Sequence, residues 1–291
     1  MNEIEPVAVK QRPQFKWPFF LFFIAMHLAA FALAPFFFTW KALVAALVIN
    51  FLIGSIGLSV GYHRLFTHST FTVPKWLEYV IAVFGVLALE GGPISWVGMH
   101  RAHHRYSDTE LDPHSSRRGF WWSHVGWMFF YTQKAYRDWA PKFMKEGRFY
   151  RFMDKHFLLP QLPLAIALYF LGGWPFVVYG IFVRTVIMWH STWLVNSATH
   201  LWGYRNYRTP DNSRNNWWVA ILAWGEGWHN NHHAEQWAAK FGRRIWEIDV
   251  SWLIVRVLAA FRLARILRMP PPLVRGDRAD WIPAPPPSEP A

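Results

Sequence analysis

The sequence predicts an all-α integral membrane protein in which four transmembrane helices are capped by a cytosolic helical domain rich in histidine. Three observations lead there. Of the 291 residues 53% are hydrophobic and only 16% charged, whereas soluble domains carry roughly 25% charge. Apolar runs recur at close to the roughly 20 residues that cross a hydrocarbon core. Nine of the fourteen histidines fall in three tight clusters and one outlying position, and the clusters sit at the ends of apolar runs or between them.

Taken in order, residues 1–17 form a cytosolic N-terminal segment. Lys10, Arg12 and Lys16 precede an apolar run too long for a signal peptide and without a small-residue cleavage site, so the run is a true first span, 18–38. The second span, 42–61, follows after only Thr39-Trp40-Lys41, a tight turn between antiparallel helices, and Pro35 is expected to kink the first helix near its end. The run 76–92 carries Glu78 and Glu90 and ends in Gly91-Gly92-Pro93. It reads as an interfacial helix, because a crossing there would put His63 and His68 on the opposite face from His100, His103 and His104. Residues 112–155 are basic and amphipathic, with Phe120-Trp121-Trp122 and Trp127 to Phe130 as headgroup anchors. Spans 157–171 and 174–195 flank the hairpin break Gly172-Gly173-Trp174-Pro175, and the first of them is short enough to need tilt or local thinning. Arg184, inside the last span, must face protein or snorkel to a headgroup.

Four spans return both termini and every histidine cluster to one side. The opposite loops carry Lys41 as their only basic residue, so that side is external, and the clusters and termini are cytoplasmic. The chain is then a single domain over 18–269 whose cap is built from 62–156 and 196–269, with an amphipathic helix from about Ser251 to Arg268. Residues 270–291 are Pro-rich and expected to be disordered.

The formal charge of +12 does not indicate nucleic acid: the basic residues are dispersed and no zinc-finger, helix-turn-helix or RRM pattern occurs. It suits anionic membrane lipid and an acidic redox partner. With no cysteine, disulfides, iron–sulfur ligation and thiolate catalysis are excluded for this polypeptide.

The clusters read His63-Arg-Leu-Phe-Thr-His68, His100-Arg-Ala-His103-His104 and His229-Asn-Asn-His232-His233, with His200 as the outlier. Side chains four apart share a helical face, so His100 with His104, and His229 with His233, can aim at one point, while His103 and His232 point partly elsewhere and can serve a second ion. His63 and His68 converge only if their helix ends or bends between them. Imidazole suits iron, zinc, copper and nickel, and zinc stops at about four ligands. Nine imidazoles therefore argue for two ions, and the missing thiolates favour a redox iron pair over structural zinc. Asn196, one turn before His200, can reach a metal directly or through water. Glu90, Asp108, Glu110, Asp112, Glu226 and Glu235 are candidates to orient the imidazoles. His27, His124, His156 and His190 read as packing residues, and His114 as an N-cap or loop hydrogen-bonder. Bis-imidazole haems would need single histidines at mid-membrane depth on facing helices, and a metal transporter would need polar residues strung through its spans. Neither pattern is present.

These boxes, with Gly61-Tyr62 before His63, Trp96 before His100, Asp112-Pro-His114, Ser123-His-Val-Gly-Trp127, Asn196-Ser-Ala-Thr-His200 and Gly225-Glu-Gly-Trp228, resemble those of the integral-membrane fatty acid desaturases, in their delta-9 acyl-CoA/acyl-lipid (stearoyl-CoA desaturase-like) branch. The resemblance runs over roughly residues 18–260. It implies a di-iron centre held by His63, His68, His100, His103, His104, His200, His229, His232 and His233 as the catalytic and metal-binding set, with Asn196 approaching one iron through water. It implies O₂-dependent insertion of a cis double bond at the delta-9 position of a long-chain saturated acyl substrate, with electrons from a separate ferredoxin or cytochrome b5-like donor. An unactivated methylene offers no acidic proton, so such chemistry belongs to the metal and O₂ rather than to side-chain acids and bases. Phe51, Gly54 and Gly57 would shape the far end of the acyl tunnel. The Arg-Lys pair that animal acyl-CoA enzymes carry after Ser-His-Val-Gly-Trp is missing from Met128 to Lys134, which leaves acyl-CoA and acyl-lipid both open. No His-Pro-Gly-Gly haem motif and no domain for NAD(P)H or haem is read in the chain. A di-iron hydroxylase on the same scaffold and a non-enzymatic membrane metal-binding protein are the alternatives.

Overall fold

A computed structural model describes residues 14–131 and 133–270. Helix α1 (Trp17–Leu33) buries only Met26 and Ala30, while Leu21, Leu28 and Phe31 point outward at 60–71% exposure. An apolar exterior of this kind suits lipid, since a soluble surface does not leave such stripes unpartnered. The helix is 17 residues long, about 25 Å at 1.5 Å per residue, short of the roughly 30 Å hydrocarbon core. It stops at Leu33 rather than kinking at Pro35: Ala34 still holds helical angles, but Pro35 has no N–H with which to continue the ladder. Thr39 accepts a hydrogen bond from Ala42 N at 3.0 Å and caps α2 (Trp40–Leu52).

α2 runs without a break into a π-helical stretch, Ile53–Thr67, so the second apolar run is one 28-residue helix that continues past residue 61 and carries His63. The third run, expected to be an interfacial helix over 76–92, forms the helix α3 (Lys75–Leu87), which packs Ile81, Ala82, Gly85 and Val86 against the π-helical stretch. The approach is close: a Cβ on Gly57 would fall 2.4 Å from the backbone of Phe84 and Gly85. Then come α4 (Pro93–Tyr106) and the short helices α5 (Phe120–His124), α6 (Lys142–Glu146) and α7 (Arg148–Lys155).

Residues 161–201 are one apolar stretch made of α8 (Gln161–Val177), a π-helical turn (Val178–Val183) and α9 (Arg184–Leu201). The hairpin expected at Gly172-Gly173 is there, as non-helical backbone with Gly173 at φ 66°. Arg184 faces protein, donating to Gly180 O and Leu87 O. Among the described residues two helical segments, 40–67 and 161–201, reach the length and apolarity of a membrane crossing, where the sequence suggested four. The first run is short, and the last two are not separated by polar residues.

Helices α10 (Trp217–Leu222), α11 (His229–Ala234) and α12 (Val250–Ala260) complete the cap. α12 ends eight residues before the expected Arg268, because Arg262 takes a left-handed φ of 58° and the chain turns into β2 (Arg265–Ile266). β2 pairs antiparallel with β1 (Phe71–Thr72), in register Phe71↔Ile266 and Thr72↔Arg265. Most of the tail, 271–291, and residues 1–13 lie outside the described residues.

Candidate metal centre

The nine histidines come from four segments and meet as two groups. His63, His68, His100, His104 and His232 place one ring nitrogen each within 4.8 Å of one another, and so do His103, His200, His229 and His233. Each placement has a local cause. In the π-helical stretch the backbone bonds run to the fifth residue, and His68 N donates to His63 O at 3.2 Å. The wider turn brings residues five apart onto one side, and such π segments cluster at functional sites. In α4 and α11 the i,i+4 pairs face one group and the odd histidine faces the other: His103 crosses to the group of His229 and His233, and His232 to that of His100 and His104. His200 arrives on the last turn of α9.

Four carboxylates fix the rings. The Nδ1 atoms of His63, His103, His200 and His233 meet Glu226 at 2.5 Å, Asp112 at 3.0 Å, Asp108 at 2.8 Å and Asp211 at 2.8 Å. Such a bond keeps the proton on Nδ1 and leaves the Nε2 lone pair pointing inward, the arrangement of a ligating histidine with its outer partner. The inward atoms then face each other. His63 Nε2 lies 2.9 Å from His232 Nε2, His232 Nε2 3.0 Å from His104 Nε2, His104 Nε2 2.9 Å from His100 Nε2, and His200 Nε2 3.1 Å from His229 Nε2. Two nitrogens bound at right angles to one ion at about 2.0–2.1 Å would stand about 3 Å apart. His68 Nε2, His103 Nε2 and His233 Nε2 are buried without a hydrogen-bond partner among the described residues, which is costly unless something fills the space. The donor set fits a pair of metal ions.

Electrostatics agree. Burial, followed by the neighbouring imidazoles, holds His68, His100, His104, His229 and His232 well below the ordinary histidine range, so they are neutral and available as ligands. Burial alone would raise Asp108, Asp112 and Asp211. Asp108 is brought well down by His200 and the Asn212 amide, Asp112 by His114 and His103, and Asp211 by His233. In the same way Glu226 falls to about 2 because the charges of His63 and Arg64 outweigh its burial. Arg64, fully buried, donates to Ala239 O at 2.8 Å and bridges Glu226 to Asp249.

Of the other expected carboxylates, Glu235 pairs with Arg243 and Tyr207, and Glu110 is exposed. Glu90 hydrogen-bonds Thr192 and Trp96, and burial pushes its carboxyl up to about 7. Asp211 and Arg64 carried no spacing signal in the sequence and were missed. His114 is buried against His103, 4.2 Å between ring centroids, and caps no helix. His27, His190 and His124 pack as expected but also hydrogen-bond in a row, at 3.1 and 2.9 Å, while His156 packs tilted against Phe152.

A cavity of about 340 Å³ opens beside the centre. Leu58, Phe22, Met99, Trp189, Trp193 and Trp224 make its apolar wall, and His63, His100 and Asn196 reach it from the metal side. Asn196, one turn before His200 on α9, lines this cavity. Phe51, 42% exposed, does not line this cavity; Gly54 bears on it indirectly, because a Cβ there would strike the ring of cavity-lining Trp224 at 1.9 Å.

Comparison with known proteins agrees with this geometry. The family model described as fatty acid desaturase matches residues 38–239. The chain is 51% identical to an sn-2 palmitoyl-lipid 9-desaturase of Nostoc sp. (strain 36), over 89% of this chain and 93% of the relative. It is 48% identical to an sn-1 stearoyl-lipid 9-desaturase of Anabaena variabilis, over 90% and 97%. A more distant relative, 43% identical over 85% of this chain and 70% of its own length, is an icosanoyl-CoA 5-desaturase of Limnanthes douglasii.

Proposed function

We propose a reaction for this chain from one premise: it belongs to the fatty acid desaturase family. It is an oxidoreductase that inserts a cis double bond at the delta-9 position of a long-chain saturated acyl group, using O₂ and electrons from a separate donor. The observation that carries the reading is the meeting of two buried histidine groups with an apolar cavity. His63, His68, His100, His104 and His232 would hold one iron and His103, His200, His229 and His233 the other, with Asn196 beside them at the cavity wall. When bound, the iron pair supplies the oxidising power that an unactivated methylene requires. The chain does the rest. Glu226, Asp112, Asp108 and Asp211 keep each ring in one tautomer and orientation. Trp189, Trp193 and Trp224 exclude water and hold one carbon–carbon segment near the imidazoles.

The substrate we favour is an acyl chain esterified in a membrane lipid. The Arg-Lys pair suited to a CoA headgroup is missing, and the relatives named for lipid-bound substrates are the more similar ones. The protein would then be a multi-pass membrane protein, its four spans being α1, residues 40–67 and the two arms of 161–201, with both termini and the centre in the cytoplasm. The outward-facing apolar residues of α1 and of 162–171 support membrane burial of the two short arms. Expression in a host lacking unsaturated fatty acids, with gas chromatography of total lipid, tests the function. A delta-9 alkene is expected, and a hydroxylated chain as sole product would overturn it.

A further inference from the structure

The proposed reaction needs electrons that this chain cannot store. A saturated –CH₂–CH₂– segment, one O₂, two electrons and two protons give the –CH=CH– segment and two waters. Two of the four electrons that O₂ takes come from the C–H bonds and two from outside, one at a time if the source is a single-electron protein. The centre is buried, so an entry point must exist where the surface comes close to one of the nine imidazoles.

One face has the properties of such a point. Ile245, Trp246 and Ile248 are 101%, 50% and 65% exposed on the segment between Phe241 and α12. The Trp246 ring stands 5.6 Å from that of Trp228, which is 3% exposed and directly precedes His229, a member of the second histidine group. Trp228 is held in place by donating from Nε1 to Ile248 O at 2.8 Å. On its other side Trp246 packs 5.4 Å from Tyr204, whose hydroxyl donates to Glu247. That contact ties the segment to the loop 203–214, which carries Asp211, the partner of His233. The rim is basic. Arg208 is exposed, and Arg244, 49% exposed, donates to Asn206 Oδ1. The acidic residues of the same stretches, Asp211, Glu235, Glu247 and Asp249, are buried and used internally. An exposed tryptophan with an apolar neighbour inside an arginine rim has the composition of an interface centre.

Resting on the function proposed above, we propose that a small acidic one-electron carrier protein docks on the face of Ile245, Trp246, Arg208 and Arg244 and passes its electrons inward through the Trp246–Trp228 pair to His229. The arginines draw the carrier in and orient it. The two indoles bridge the protein between surface and imidazole with π systems and are not themselves oxidised in a lasting step. Trp246 acts through Trp228 and is a positioning residue.

The test uses the full chain in nanodiscs, with a [2Fe–2S] ferredoxin and a cytochrome b5 as probes. Arg208→Glu is expected to weaken the carrier that binds by about tenfold and to flatten the salt dependence of its Kd, whereas Lys142→Glu, on α6, leaves both unchanged. Trp246→Leu is expected to slow reduction by that pre-reduced carrier by about tenfold while reduction by dithionite keeps its rate, and Trp246→Phe restores part of the loss. Binding of neither carrier overturns the proposal, as does Arg208→Glu with wild-type Kd and salt slope, or Trp246→Leu reduced at the wild-type rate. Quenching, by brominated acyl chains, of a fluorophore attached to a single cysteine introduced at Ile245 would also overturn it, because the face would then lie in lipid. Metal content and alkene formation with dithionite and O₂ stand apart from these outcomes: if they fail the proposed function fails, and if they hold while carrier binding fails only the docking face is wrong.

Discussion

Asp211 holds His233 as Asp108 holds His200, yet only the second of these carboxylates was foreseen. Asp108 lies within a box whose spacing draws attention, whereas Asp211 sits in a loop with no periodicity to betray it. The ligands themselves were legible, because three- and four-residue spacing fixes which face an imidazole occupies once the segment is helical. Replacing His104 by alanine removes one donor from a group of five; elemental analysis is expected to find the iron content fall toward one per chain, with turnover abolished. Asp211→Asn keeps an acceptor but removes the charge, and chelator competition is expected to show about tenfold weaker retention of one ion. Glu90 gives the pH prediction. Its carboxyl is raised in the folded state, so the unfolded chain gives up that proton more readily, and stability is lost as pH climbs from the ordinary carboxylate range through about 7. Glu90→Gln is therefore expected to raise the melting temperature at pH 8 by the equivalent of about 1–3 kcal/mol and to change little at pH 5, as differential scanning fluorimetry would show.

At the scale of elements, the segment that escaped the sequence is the π-helical continuation of α2. The convergence of His63 with His68 was expected to need a helix end or bend between them, and the observed solution widens the turn into a π-helix that ends at Thr67. Nothing in a hydropathy pattern distinguishes 4-residue from 5-residue bonding. The small residues of this stretch do carry meaning: Gly57 lets α3 approach backbone to backbone, and Gly54 makes room for the Trp224 ring. Gly57→Val is expected to cost about 1–3 kcal/mol or more and to lower the yield of folded protein, read by size-exclusion chromatography. Gly54→Ala is expected to push Trp224 toward the cavity and shift product distribution to shorter acyl chains when a chain-length series is supplied. An unchanged profile would remove Gly54 from the list of residues that set chain length.

For the whole molecule, composition told of a membrane protein and the exposed apolar faces of α1 and of residues 162–171 agree, but span count depends on where helices end, which proline, glycine and tertiary packing decide. The absence of cysteine makes topology directly measurable. Single cysteines at Lys41 and Trp174 are expected to react with an impermeant maleimide from one side of the membrane, and those at Arg117 and Lys142 from the other. The two-residue ladder between β1 and β2 has its own consequence. Leu267 donates to Thr70 O, so the last described strand fastens the backbone just after His68. The first histidine box is therefore fastened by residues made after all nine imidazoles, and a nascent chain would carry that box unfastened until they emerge. A polypeptide cut short before Arg265 would lack this clasp on its earliest box, and is expected to hold a metal at that box less tightly than the full chain.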